Sequence, residues 1–241
     1  MVCPVVLLNI KILKKIKVKF VDGYVKNSSY DSFIRGEINN PFIPSVCGIG
    51  YIGDKSYAKG KSENTRRYVT WHNMLKRCYD EKYKINNPTY RECTVCEEWH
   101  NFQNFAKWYD ENYYEIEGEV MCLDKDILVK GNKIYSPETC IFVPKSINVL
   151  FAKDKKRDNG LPIGVCIYKK NPKLINKYIA YCNNGSKKTI NLGGFSTPQK
   201  AFQSYKEYKE KLIKNIADKY KDKIPQMLFK AMYKYEVEIT D

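Results

Sequence analysis

Between Ile163 and Tyr220 the chain changes its apolar period once, and this limits the fold more than any other feature. Three short runs, Ile163–Tyr168, Lys177–Cys182 and Lys188–Phe195, are strand-like. Asn171-Pro172 and Asn184-Gly185 separate them, and both dipeptides favour turns. Thr197-Pro198 then caps and opens a helix, because the missing proline N–H is harmless in a first turn. Beyond it Ala201, Phe202, Tyr205, Tyr208, Leu212, Ile213, Ile216 and Tyr220 form one apolar stripe. Pro225 ends that helix or starts the next. A three-stranded antiparallel sheet with a long packed helix is the compact solution, so this part is α+β.

A second period change lies upstream. Cys122–Leu128 suits a strand, Lys130-Gly131-Asn132-Lys133 suits a turn, and Cys140–Val143 suits a second strand. Pro144 then begins a short helix. Before this hairpin, Trp71, Met74, Leu75, Cys78 and Tyr79 fall on one helical face, as do Trp99, Phe102, Phe105, Ala106 and Tyr109. Asn86-Asn87-Pro88 breaks the chain between the two. These aromatic stripes read as core. Near the start, IKVKFVDGYVK (16–26) alternates around Asp22-Gly23, a hairpin signal. KSENTRRY (61–68) reads as a polar linker and KDKKRDNG (153–160) as a charged one. The expected organisation is a β-rich module over 1–60, helices with a ββα hairpin over 68–152, and the sheet-helix unit over 161–241.

Charge narrows the function. The net charge is +15, with 20 tyrosines. Lysines neutralise phosphates and flat rings pack near bases, so nucleic acid is the expected partner. The charge is uneven. Phe151 to Ile190 holds ten Lys or Arg and two Asp, whereas Glu92 to Asp126 holds ten Asp or Glu and two Lys. One surface suits phosphate and another could suit a cation; two solvated faces of unlike charge would read the same way. No apolar run is long enough to cross a membrane. The apolar opening MVCPVVLLNI lacks a basic head and a small-residue cleavage site. Nine cysteines, an odd number, read as reduced thiols. An intracellular protein, in a host cytoplasm, is expected.

Several stretches resemble known families. VCEEWHNFQNFAKWYDENYYE (95–115) and LDKDILVKGNKIYSPETCIFVPKSINVLF (123–151) are similar to phage and prophage proteins of the HNH type. PSVCGIGYIG (44–53) and TWHNMLKRCYDEKY (70–83) resemble the same group. Residues 163–210 resemble the Apetala or ethylene-response-factor type of DNA-binding domain. The matching positions are Gly164-Val165, Lys177 to Ala180, Leu192 to Phe195, and Thr197, Ala201 and Tyr205.

The first resemblance implies a metal-dependent DNA endonuclease similar to homing endonucleases, more suited to nicking than to a double cut. A divalent cation, magnesium or manganese, would be held by Asp124 and Asn148, with Asp124 and Lys125 at the catalytic position. The chain departs from the family twice. Lys125 stands where the general-base histidine belongs, and Thr139 near the orienting asparagine. A lysine of pKa about 10.4 is protonated at neutral pH and abstracts no proton. Asp124 and Asp126, two apart on a strand, would face opposite ways. The alternative is an inactive HNH scaffold that binds DNA or regulates. The two histidines, His72 and His100, lie on the helices. Cys93-x-x-Cys96 is half of a structural zinc site that Cys78, Cys122 or Cys140 could complete; with the second knuckle missing, the competing reading makes Cys78 and Cys96 small core residues.

The second resemblance places the sheet in the major groove of double-stranded DNA. The outward candidates are Tyr168, Lys170, Lys177, Tyr181, Lys187, Lys188 and Asn191. No arginine or tryptophan stands on these strands, so guanine readout by a bidentate arginine is not expected.

Overall fold

A computed structural model describes residues 5–12, 15–54, 57, 62–152, 160–168, 175, 177–185 and 188–239. The predicted candidates Lys170 and Lys187 lie outside these residues, as does most of the charged linker. The chain forms two compact units, 1–109 and 110–241. This division differs from the three expected segments, and the long-range contacts within each unit explain why.

In the first unit, β1 (Val5–Ile12), β2 (Lys15–Phe20) and β3 (Val25–Ser28) form an antiparallel meander in that order. Strict alternation in β2 buries Ile16, Val18 and Phe20. The predicted Asp22-Gly23 turn joins β2 to β3. Gly23 takes φ +91°, and Asp22 Oδ1 accepts from Tyr24 N at 3.1 Å. A short α1 (Tyr30–Ile34) follows, capped by Ser29, whose hydroxyl accepts from Ser32 N.

The boundary expected near residue 60 is bridged by packing. A Cβ on Gly50 would come within 2.4 Å of Leu75 and 2.8 Å of Trp71, so the 44–53 loop lies directly on the next helix, α2 (Ser62–Tyr79). The expected linker 61–68 is mostly helical, because α2 starts at Ser62. Its polar residues have work there. Arg67 lies over the Tyr57 and Tyr109 rings, and Tyr68 packs edge-on against Phe102. α3 (Glu81–Asn86) stops before Pro88, as the Asn-Asn-Pro break predicts. Beyond β4 (Thr94–Val95), Trp99 sits in a one-turn 3-10 segment, ahead of α4 (Phe102–Asn112). Trp71, Met74, Leu75, Cys78, Trp99, Phe102, Phe105 and Ala106 are buried, and Trp71 Nε1 donates to Trp99 O at 2.7 Å.

In the second unit, β5 (Met121–Asp124) pairs antiparallel with β7 (Ile141–Pro144), with β6 (Ile134–Tyr135) between them in sequence. α5 (Lys145–Asn148) is a single turn. β8 (Val165–Ile167), β9 (Tyr178–Asn183) and β10 (Thr189–Phe195) form the expected antiparallel sheet, with β9 central. α6 (Pro198–Tyr220) and α7 (Gln226–Lys234) complete it. Thr197 caps α6 by accepting from Lys200 N at 3.2 Å.

The hairpin and the C-terminal helices share one core. Ile127, Ile141, Val143, Ile147 and Leu150 pack with Ile213, Ala217, Ile224, Leu228 and Met232. That shared core places the hairpin with the sheet-helix unit and not with α2 and α4. A second cluster, Val165, Ala180 and Cys182 against Ala201, Tyr205 and Val237, seats α6 on one face of the sheet. Gly164 explains its own identity. A Cβ there would lie 2.2 Å from the Tyr205 ring, and its φ is +74°. No helix among the described residues is long and apolar enough to cross a membrane.

Candidate nucleic-acid interface and the 121–148 hairpin

The hairpin strand is shorter than predicted. It ends at Asp124 because that side chain turns the chain itself. Asp124 Oδ1 accepts from Asp126 N at 2.9 Å and from Ile127 N at 2.8 Å. Such a side-chain turn competes with the strand ladder and wins here. The turn corrects a second expectation. Strand alternation does not relate Asp124 to Asp126, because β5 ends at Asp124 and its carboxylate folds back onto the N–H groups of Asp126 and Ile127. Burial, then the neighbouring Asp126 charge, pushes Asp124 up to about 6.

Lys125 is only 8 % exposed. Its ammonium donates to Asp126 Oδ2 and to the Asn132 carbonyl, each at 3.1 Å, and lies 5.9 Å from the centre of the Tyr135 ring. Asn132 returns the tie, its Nδ2 donating to Lys125 O and to Ile134 O at 2.7 Å. Lys125 is therefore the internal cation of the 124–135 loop. Neither proton abstraction nor an outward phosphate contact suits it. Asp126, which flanks Lys125 in sequence, is its expected charge partner, whereas Asn132 and Tyr135 were missed, the Gly-Asn turn after the triplet being the available signal. Thr139, near the position of the orienting asparagine, is used within its own turn: its hydroxyl donates to Ile134 O at 3.0 Å.

The expected metal pair fares no better. Asp124 pairs with Ile141 at one end of the strand pair, whereas α5, which carries Asn148, follows the other end, where Met121 pairs with Pro144. One Asp124 oxygen is committed to two backbone donors, and a resident ammonium already pairs with Asp126. These donors do not fit a divalent cation held by Asp124 and Asn148. Among the described residues no group of three or more His, Cys, Asp or Glu side chains converges. The Cys93 thiol is buried and directed at Thr89 O, 3.7 Å away, while His100 Nε2 lies 3.2 Å from Val95 O. His72 packs near the Tyr68 ring. Both histidines belong to the first unit and the hairpin to the second.

The sheet gathers most of its predicted residues. Val165, Ala180 and Cys182 face α6. Alternation then assigns Cys166, Ile179, Tyr181 and Asn183 to the opposite face. The pairs Asn191↔Tyr181 and Thr189↔Asn183 extend that face into β10. Tyr168 N donates to Lys177 O at 2.7 Å just beyond Ile167↔Tyr178, so these two share the face by register. The Lys177 ammonium rests 5.5 Å from the centre of the Tyr178 ring. Lys188 is exposed at the β9–β10 turn and has the other parity. Tyr168, Lys177, Tyr181 and Asn191 thus come together, and Asn183 and Thr189 join them. Counting parity from Tyr181 would have found Asn183 in advance.

The stretch that contains this face is basic, with Lys177 on the face by register and Lys200 and Lys206 on α6. Residues 159–206 contain eight lysines and no Asp or Glu. Comparison of the chain with protein-family models, with characterised proteins and with solved structures returns no match.

Proposed function

We propose that this α+β protein binds double-stranded DNA through the β8-β9-β10 face turned away from α6, and that the 121–148 hairpin is scaffold. One observation carries the reading: Tyr168, Lys177, Tyr181 and Asn191 share a sheet face within a stretch that has eight lysines and no acid. Such a face offers phosphate grip from cations and stacking or packing from rings. A two-stranded β-ribbon fits the major groove. The hairpin adds stability through Lys125 and its share of the core, and no catalytic step follows from its donors.

Binding of a labelled duplex across a salt series tests the first half. The expected affinity falls steeply, by orders of magnitude, between about 50 and 200 mM salt. Salt-independent binding, or none at low salt, would refute it. Supercoiled plasmid with magnesium or manganese, against chelator, tests the second half. The expected plasmid stays intact; metal-dependent nicking that vanishes in Asp124→Ala would overturn the scaffold assignment.

A further inference from the structure

The two asparagines on the sheet face are not ordinary amides. Asn183 Oδ1 accepts from Gly185 N at 2.9 Å, and Asn191 Oδ1 accepts from Gly193 N at 2.9 Å. The oxygen assignment is forced, because a backbone N–H can only donate. The first bond closes the β9–β10 turn, and the second closes the bulge between Asn191 and Gly193, where Gly193 takes φ +111°. Both amides are therefore turned with the oxygen toward their own backbone and the NH2 away from it. Asn183 and Asn191 are exposed and lie on one face, as diagonal cross-strand neighbours about 7–8 Å apart.

We infer that Asn183 and Asn191 are locked donors that meet hydrogen-bond acceptors on DNA without reading its sequence. The inference rests on the DNA-binding proposal above and specifies its chemistry. An asparagine that reads adenine must present oxygen and nitrogen side by side, accepting from N6–H and donating to N7. Here one lone pair of the oxygen is spent on a glycine N–H that pins the amide to its own strand, so the oxygen and NH2 are not free to turn side by side onto an adenine edge. A lone donor finds a partner on every base pair, since adenine and guanine N7, guanine O6 and thymine O4 are all acceptors. Phosphate oxygens serve equally well. The face has no arginine to restore a code, and the residues 159–206 that contain it hold no acid to repel the backbone.

Aspartate keeps the acceptor oxygen that each glycine N–H needs and replaces the NH2 with a second, anionic oxygen. The full chain is compared as wild type, Asn191→Asp, Asn183→Asp and Gln226→Glu. Gln226 is exposed at the start of α7, so its change adds equal charge away from the face. Affinity is measured on an A·T-rich and a G·C-rich duplex of equal length, at one salt concentration, with a circular dichroism melt of each protein.

The wild type should bind the two duplexes within about threefold of each other, far below the discrimination of a bidentate pair. Each Asn→Asp change should weaken both by about tenfold or more, leave their ratio unaltered and leave the melt in place, while Gln226→Glu changes little. Binding that survives both Asn→Asp changes would overturn the inference and leave DNA binding standing. So would strong wild-type discrimination that either change abolishes. Failure of the wild type to bind either duplex would remove the DNA-binding proposal and this inference with it. Should one variant not fold, the other decides, because the turn and the bulge are separate sites.

Discussion

Lys125→Met removes the loop's internal cation and keeps the length of its side chain, so the change isolates the charge. The change removes the ion pair with Asp126, the hydrogen bond to the Asn132 carbonyl and the approach to Tyr135. Removing one partner of a fully buried ion pair costs about 3–5 kcal/mol. Here the Asp126 side chain is 41 % exposed, so water recovers much of its solvation. The Asn132 carbonyl loses a charge-assisted hydrogen bond, at about 1.5–3 kcal/mol. Methionine regains part of this by burying a thioether, which leaves a net expected loss of about 2 kcal/mol. All three tryptophans, Trp71, Trp99 and Trp108, lie in the first unit, and α6 and α7 lie in the second. Urea unfolding is therefore followed by tryptophan emission and by far-ultraviolet circular dichroism on the same samples. The variant should move the share of the dichroism transition that belongs to α6 and α7 to lower urea and leave the emission midpoint near that of the wild type. A loss below about 0.5 kcal/mol, the ordinary scatter of surface changes, would refute the assignment of Lys125 as a buried pin. A shift confined to tryptophan emission would refute it equally.

Asp124 gives a pH prediction. Its folded value, about 6, lies above the ordinary carboxylate value, so the folded state holds the proton more tightly than the unfolded chain. Its contribution to stability is complete below about pH 4 and is lost as pH rises through about 6. In Asp124→Asn the new amide oxygen still accepts from Asp126 N and Ile127 N, so the variant should gain about 1–2 kcal/mol over wild type near pH 8 and little near pH 4. Equal unfolding midpoints at both pH values would contradict this. Gly164→Ala should cost about 3 kcal/mol or more, from overpacking against Tyr205 plus a strained φ, and its urea midpoint would expose a smaller effect. Thr197→Ala removes the cap of α6 and should cost about 1 kcal/mol, read by the same method.

Periodicity made much of this fold legible before any coordinates. The Asp22-Gly23 hairpin, the stripe from Trp71 to Tyr79, the stripe ending at Tyr109 (whose expected first member, Trp99, falls in the 3-10 turn before α4) and the three strands before Thr197-Pro198 all follow from local chemistry. What stayed hidden depends on distant partners. Nothing near Gly50 announces that Trp71 and Leu75 will lie against it. Nothing in the hairpin announces that Val143 and Ile147 will share a core with Ile213 and Leu228. The expected strand through Leu128 failed for a local reason, since Asp124 was read as a metal ligand on a continuing strand when it caps the next two N–H groups. The resemblance offered Tyr168, Lys177, Tyr181 and Asn191 among its outward residues, but it could not tell that an asparagine oxygen would be spent on a glycine.

The most direct test of the central claim is a map of backbone amide shifts in labelled protein as a duplex is added. The account predicts changes concentrated in residues 165–168, 177–183 and 189–195, with residues 121–148 little affected. Changes concentrated in the hairpin, with the sheet strands unmoved, would contradict it.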